Sequence, residues 1–353
     1  MPFSLKRVLD KLTQKDTPTH EWENYNISPA TPEEIEKGLT DKDHGIRWTW
    51  VQRTDFTPTP AQVERGLLDK NEHVREAWAE RLDWTPTLEQ VDRGISDTHK
   101  DVRWAWAKRT DFTPTPHQVA LGLKDTSKLV RKTWARRTDF TPTPEQIEQG
   151  LTDTELDVKR AWAERMDYTP TPEQVERGLR DSHYTIRVIW AKRMDFTPTP
   201  EQIERGLKDD DSWVRQAWAQ RMDYTPTPEQ VEKGLTDENR GVRMLWAQRT
   251  DYTPTPAQIE RGLTDADEYV QIDWIKRTDI TLTPQQVQRA LYARKEHVLV
   301  AWLERADIKW NDAQIQQGLT HESKKVRQCW EKILQRQYAA ESQSNETDVI
   351  MHL

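Results

Sequence analysis

The chain has 353 residues, of which 34% are hydrophobic and 32% charged, and its mean hydropathy is -0.98. That is too little apolar material for one large core, yet 17 Trp argue against disorder, so the composition predicts many small cores strung along an extended array. A net charge of -8 excludes a global positive field that would draw the chain to nucleic acid or anionic lipid.

Residues 1–28 read as a degenerate helical cap, with Phe3, Leu5, Val8, Leu9 and Leu12 forming an amphipathic face. Lys6, Arg7, Asp10 and Lys11 interrupt it, so it lacks the apolar core of a secretory signal. No run of apolar residues is long enough to span a membrane. A single cysteine, Cys329, allows no intrachain disulfide or multi-cysteine metal site and suits a reducing compartment. These features predict a soluble cytoplasmic protein with no membrane partner.

Residues 29–336 form eleven repeats of 28 residues without insertion, numbered here 1 to 11 from Pro29. Thr-Pro-Thr-Pro-Glu-Gln begins at Thr141, Thr169, Thr197 and Thr225, and Trp recurs in step from Trp22 to Trp330, accounting for twelve of the 17. Constant loop length requires each repeat to copy the geometry of the last, which is the signature of a solenoid.

Repeat 2 shows the design. Thr59, Pro60 and Gln62 predict a capping box with Pro at the first helical position. Val63, Gly66 and Leu67 give the inner face of a first helix of about two turns. Asp69 turns the chain into a second helix whose inner face is Val74, Ala77, Trp78 and Arg81. Helices this short need stacked neighbours for stability. Gly66 recurs in every repeat except the tenth, which has Ala290. Glycine inside a helix costs up to ~1 kcal/mol, so its recurrence predicts close approach of a Trp or of a neighbouring backbone.

In the second helices, Asp is followed five residues later by Val and then Arg, as in Asp69, Val74, Arg75 and Asp97, Val102, Arg103. This register resembles that of HEAT repeats, and Val102, Arg103, Ala105, Ala107 is also similar to the leucine-rich repeat variant. The resemblance covers Pro29 to Arg336. It departs in its shorter repeat and in placing Trp at the core position: Trp78, Trp106, Trp134, Trp162, Trp190, Trp218 and Trp246. It implies an all-α, right-handed α-solenoid in which Asp and Arg of neighbouring repeats form a ladder, Arg75 with Asp97 for example. The losses in this chain point the same way. Arg becomes Gln271 in repeat 9 and Leu299 in repeat 10, while Asp becomes Ala293 in repeat 10 and His321 in repeat 11. Only pairing of each Arg with the Asp of the next repeat leaves no charge stranded. A second row, with Arg53, Arg81 and Arg109 at its head, stands two residues before Asp55, Asp83 and Asp111. It reads as salt bridges that cap helix ends, in preference to a row of anion sites.

Variation among the repeats concentrates just before the second-helix Val and two residues after it, an i, i+3 stripe away from the core Trp. Solvated positions drift toward Lys, Glu and Gln, but repeats 6 to 10 carry Val188, Trp213, Met244, Tyr269, Ile272 and Val300 there, and repeats 1 and 3 carry Trp48 and Trp104. Two readings stand: a surface for another protein or for self-association, or side chains that fill gaps between neighbouring helices. By resemblance the stripe faces the concave side. HEAT-like DNA glycosylases of alkylation repair use a basic groove with aromatic residues, and Trp48, Trp104, Lys132, Arg136 and Arg160 imitate part of one. Glu76, Glu80, Asp101, Asp157 and Glu164 interrupt that track.

No catalytic or metal-binding spacing occurs among the nine His, and there is no nucleophile elbow or phosphate loop. The sequence therefore predicts a non-enzymatic protein-binding scaffold without cofactor or metal, with a nucleic-acid binder or glycosylase-type enzyme as the alternative. Residues 337–353 read as a largely disordered extension, rich in Ser, Asn and Glu.

Overall fold

The computed structural model describes residues 30–351, and the side chains of residues 30–337; the expected cap at 1–28 lies outside the described residues. The described secondary structure is helical throughout: 22 helices in eleven pairs, from Pro32–Leu39 to Lys324–Met351, with no strand among the described residues. The chain is an α-solenoid. It divides into two compact units, residues 1–150 and 151–353.

Local sequence chemistry sets each pair. In repeat 2, the first helix Pro60–Leu67 starts at Thr59, whose hydroxyl accepts the Gln62 N–H while Gln62 Oε1 accepts the Thr59 N–H. All eleven first helices carry a full capping box of this kind, in repeat 11 in an Asn311 version. Each box satisfies two backbone donors that a short helix would otherwise leave open. The second helix Glu72–Glu80 begins at Asn71, which caps His73 and Val74. Within each unit, second helices pack on second helices and first helices on first helices: Glu72–Glu80 on Lys100–Lys108 in one unit, and Tyr184–Lys192 on Ser212–Ala219 in the other.

The core is a row of indoles. Trp78, Trp106, Trp134, Trp162, Trp190, Trp218, Trp246 and Trp274 are each no more than 1% exposed, and burying one contributes roughly 1.5 to 3 kcal/mol. Glycine is what admits them. A Cβ on Gly66 would lie 2.0 Å from Trp78 Nε1, and one on Gly234 would lie 2.1 Å from Trp246 Nε1. The backbone at both is helical, so space and not conformational freedom selects glycine. Repeat 10, with Ala290, has a first helix one residue shorter, Pro284–Ala290.

Three ladders tie neighbouring repeats. In the first, Arg75 Nε and Nη2 donate to both oxygens of Asp97 at 2.7 and 2.8 Å, and Nη1 donates to the Asp69 carbonyl of its own turn at 2.8 Å. The same fork joins Arg47 to Asp69, Arg103 to Asp125, Arg187 to Asp209, Arg215 to Asp237 and Arg243 to Asp265, and Lys159 reaches Asp181 at 2.9 Å. Within each unit, the pairs therefore run from one repeat to the next and not inside a repeat. The carboxylate's second task is local, since Asp69 Oδ1 accepts the Asn71 N–H at 2.8 Å and shapes the turn.

The second ladder caps the neighbour and not its own helix. Arg109 Nη1 donates to the Ala79 and Arg81 carbonyls of the preceding repeat at 2.9 and 2.6 Å, while Nε and Nη2 grip Asp111. The guanidinium lies 4.3 Å from the Trp84 ring centroid and 5.4 Å from that of Trp106, within cation–π range of both rings, which meet edge to face. With Arg109 2% exposed and its donors taken by the protein itself, it has nothing to offer an external anion.

The third ladder joins first helices and escaped the sequence reading. The capping-box Gln also donates backward: Gln90 Nε2 to Glu64 at 2.9 Å, with Arg93 on the same carboxylate at 2.6 Å. The pattern continues in Glu176 with Gln202 and Arg205, and in Glu260 with Gln286 and Arg289.

The last helix, Lys324–Met351, continues through the stretch whose composition suggests disorder. Ala339, Ala340, Glu341 and Gln343 are strong helix formers there, a propensity that a count of Ser and Asn overlooks.

Candidate functional site

With the Trp side of each second helix in the core and its Arg side in the ladder, the remaining side carries the variable positions. The structure sorts them into three groups. Trp213 and Tyr269 stand in solvent, 62% and 49% exposed. Val188, Met244, Ile272, Trp48 and Trp104 are half-buried. Val300 is 5% exposed and is withdrawn as a contact residue. Its neighbours Leu299 and Ala301 are equally sealed, and Val300 occupies the position two residues after the helix Val, where Val188, Met244 and Ile272 are half-buried.

The half-buried group reaches across to adjacent repeats. Trp104 Nε1 donates to Thr133 Oγ1 of the next repeat at 3.1 Å, and the Lys108 ammonium lies 3.9 Å from the Trp104 ring centroid. Gap filling between helices thus accounts for much of Trp104. It does not account for Trp213 and Tyr269.

Tyr269 is exposed but ordered by its surroundings. The His297 ring stacks on it with centroids 5.8 Å apart, and the Arg240 guanidinium lies 5.9 Å from its centroid. Arg240 is itself held by Asp267 at 3.1 Å. Trp213 follows the N-cap Asp211, whose Oδ1 accepts the Trp213 N–H at 2.8 Å. Between the two aromatic positions, the equivalent residue of repeat 8 is Gly241. A Cβ there would come within 2.9 Å of the Gln216 amide, so the intervening repeat offers no side chain at that place.

Other exposed apolar residues follow the second Arg row and were missed in the sequence reading. Leu82, Met166, Met194 and Met222 are 70%, 62%, 59% and 54% exposed. The signal was available: the residue after the ladder Arg is Thr in five of the ten repeats that carry it, Leu in repeat 2 and Met in three consecutive ones.

Charge on the second helices is mostly engaged locally. Lys108 pairs with Glu80 at 2.7 Å and Arg160 with Glu164 at 2.7 Å. Burial pushes the Glu76 carboxyl up, helped by Glu80 and Asp101 and opposed by His73 at 3.5 Å. Burial likewise raises Asp273, against a hydrogen bond from Gln248 at 3.0 Å. No group of three or more His, Cys, Asp or Glu among the described residues has a geometry that could hold a metal ion. A recess of about 400 Å³ lies among Val51, Arg53, Glu80, Arg81 and Leu82. Its arginines are already forked to Asp55 and Asp83, which leaves it no convergent polar groups for a small ligand.

No described helix is long and apolar enough to cross a membrane. No protein-family model matches the chain, and no curated protein matches it in sequence. Among solved structures it is similar to a protein described as a leucine-rich repeat variant with a novel repetitive structural motif. The identity is 21% and the TM-score 0.49, over 67% of this chain and 88% of that one.

Proposed function

We propose that the chain is a non-catalytic scaffold that binds another protein through the second-helix face of repeats 6 to 9. The observation that carries this reading is the exposure of Trp213 and Tyr269 on a surface whose interior positions are neutral, Gln216, Met244 and Ile272. Large aromatic side chains in solvent cost nothing to keep only if something covers them at work, and Trp and Tyr are the residues that dominate protein interfaces. The half-buried Met244 and Ile272 extend the apolar surface without being free to collapse inward.

Nucleic-acid binding competes with this reading, and the charge pattern disfavours it. The cations nearest the aromatic residues of the second helices are paired with carboxylates, Lys108 with Glu80 and Arg240 with Asp267, so no continuous track for phosphates remains. Two measurements decide. Capture of partners by crosslinking should be lost on replacing Trp213, Tyr269 and Ile272 together by Ser while helicity is unchanged. Retention of DNA or RNA on filters should be absent at low and moderate salt. Unchanged capture, or salt-sensitive retention, overturns the proposal.

A further inference from the structure

The face around Trp213 is not electrically neutral at its edge. The turn before it runs Asp209, Asp210, Asp211, and the corresponding turn of repeat 8 runs Asp237, Glu238, Asn239. Asp209 and Asp237 belong to the Arg ladder, forked to Arg187 and Arg215. Asp210 is exposed, and the Glu238 side chain is 89% exposed, 3.5 Å from a guanidinium already satisfied by Asp237. Asp211 spends one oxygen on the Trp213 N–H. In repeat 9 the corresponding carboxylates are engaged, Asp267 by Arg240 at 3.1 Å and Glu268 by His297 and Lys295 at 3.2 and 3.8 Å. The open rim is that of repeats 7 and 8, where Arg240 is the one cation at the helix starts. One edge of an apolar, aromatic face is therefore lined with carboxylates that no ladder consumes.

We propose that this face binds a cationic amphipathic segment of another protein, its large apolar residues resting on Trp213, Met244 and Ile272 and its Lys or Arg side chains meeting the rim of Asp210, Asp211 and Glu238. The inference rests on the docking reading above and names the chemistry of the partner. Complementary charge along one edge fixes the direction in which such a segment lies and speeds its encounter. The exposed indole adds a second attraction for the same partner, since a Lys or Arg over the Trp213 ring gains a cation–π contact. An acidic segment would meet the rim with like charge and lose both contributions. The amphipathic helix laid against an apolar surface is a recurrent form of such recognition.

The test uses the full chain and two labelled synthetic peptides with the same Leu spacing, one carrying Lys and the other Glu, read by fluorescence anisotropy. The Lys peptide should bind about tenfold more tightly than the Glu peptide or better. Trp213→Ala should weaken it about fivefold, within the range of a single interface residue. Asp210→Asn with Glu238→Gln should weaken it comparably, whereas Glu173→Gln with Glu229→Gln, exposed carboxylates at first-helix starts that change the net charge equally, should not. Equal weakening by both charge pairs would reduce the effect to the general negative field, and that outcome overturns the inference. So does a preference for the Glu peptide, indifference to Trp213→Ala, or failure of the Lys peptide to bind. If the Lys peptide fails while the triple Ser variant still loses its crosslinked partners, the docking face stands and only the cationic partner falls.

Discussion

Repeats 6 to 9 and repeats 9 to 11 solve the same packing problem with different wiring. In the first group, Arg187, Arg215 and Arg243 each fork onto an Asp of the next repeat. In the second, Gln271 stands opposite Ala293 in the register and Leu299 opposite His321, so the charge pair is gone from both junctions. The local bond to the turn carbonyl remains in repeats 9 and 11 and is lost in repeat 10, where Leu299 has no donor. Gln271 Nε2 still donates to the Asp265 carbonyl at 2.6 Å, as Arg243 Nη1 does to Asp237 at 2.8 Å. Arg327 still donates to the His321 carbonyl, and His321 Nδ1 accepts the Ser323 N–H at 3.1 Å in the role of an Asp oxygen. Leu299 is 6% exposed and has joined the core. The turn carbonyl exists whatever the sequence, and burying it without a donor is costly. A charge pair can be deleted as a pair at little net cost, which accounts for its absence from both junctions while the turn bond survives in repeats 9 and 11.

The strongest way to break this comparison is to attack what both groups share, the indole against glycine. Gly234→Ala places a Cβ 2.1 Å from Trp246 Nε1, with helix backbone on one side and a fully buried ring on the other. The expected cost is about 3 kcal/mol, the upper range for overpacking, read as a fall in the urea midpoint. Ala290→Gly in repeat 10 should cost no more than ~1 kcal/mol, because the helix there has already adapted to the methyl group. A harmless Gly234→Ala would mean that the ring can step aside and that glycine recurs for another reason.

Next in size is the ladder. Arg243→Ala leaves Asp265, a carboxylate 10% exposed, without its partner, and should cost about 3 kcal/mol. Arg243→Gln combined with Asp265→Ala copies the junction of repeats 9 and 10. It should cost less than the two single changes together, with a coupling of about 1 to 3 kcal/mol. Simple additivity in this double-mutant cycle would remove the account of why the natural losses are offset by one repeat. Lys159→Ala and Asp181→Ala should match one another in the same assay, being the two ends of one bridge.

Much of this was legible in the sequence because a repeat is its own alignment. Period, helix pairing, capping boxes and the indole column all follow from residues 28 apart, and the offset losses at Gln271, Ala293, Leu299 and His321 gave the direction of the first ladder. The third ladder was visible by the same logic. Ala120 coincides with Gln149, and Gln288 with Gln317, where other repeats place Glu64 with Arg93; those coincidences were not read. Exposure of the variable stripe was less legible. Its i, i+3 spacing tells which side a residue leaves from, but not how far the neighbouring helix leans over it. Val300 and Trp213 belong to the same stripe but to different positions of it. Trp213 stands just before its helix Val and is exposed, whereas the buried Val300 stands two residues after, where Val188, Gln216, Met244 and Ile272 are half-buried.

A smaller effect concerns acid. At Glu176 burial raises the carboxyl, but donors from Arg205, Gln202 and Arg180 outweigh it and hold the group at about 2. Its pKa is depressed in the folded chain, so its contribution is complete above the ordinary value of 4.5 and is lost as the pH falls from there toward 2. The side chain is 38% exposed, so the loss should stay under about 1 kcal/mol. Glu176→Gln should flatten the acid limb of the stability curve in that window, and an unchanged limb would show that solvent screens the third ladder completely.

The smallest expected change in stability is also the sharpest test of the stripe. Trp213→Ser removes a side chain 62% exposed and should alter the urea midpoint by no more than ~0.5 kcal/mol. Val300→Ser, in the same stripe three repeats further on, removes buried methyl groups and leaves a hydroxyl in a site 5% exposed. It should cost about 2 to 3 kcal/mol. The pair separates a side chain kept for a partner from one kept for the fold. A large loss for Trp213→Ser would mean that the indole packs on its own array, and the docking face would then lose its principal residue.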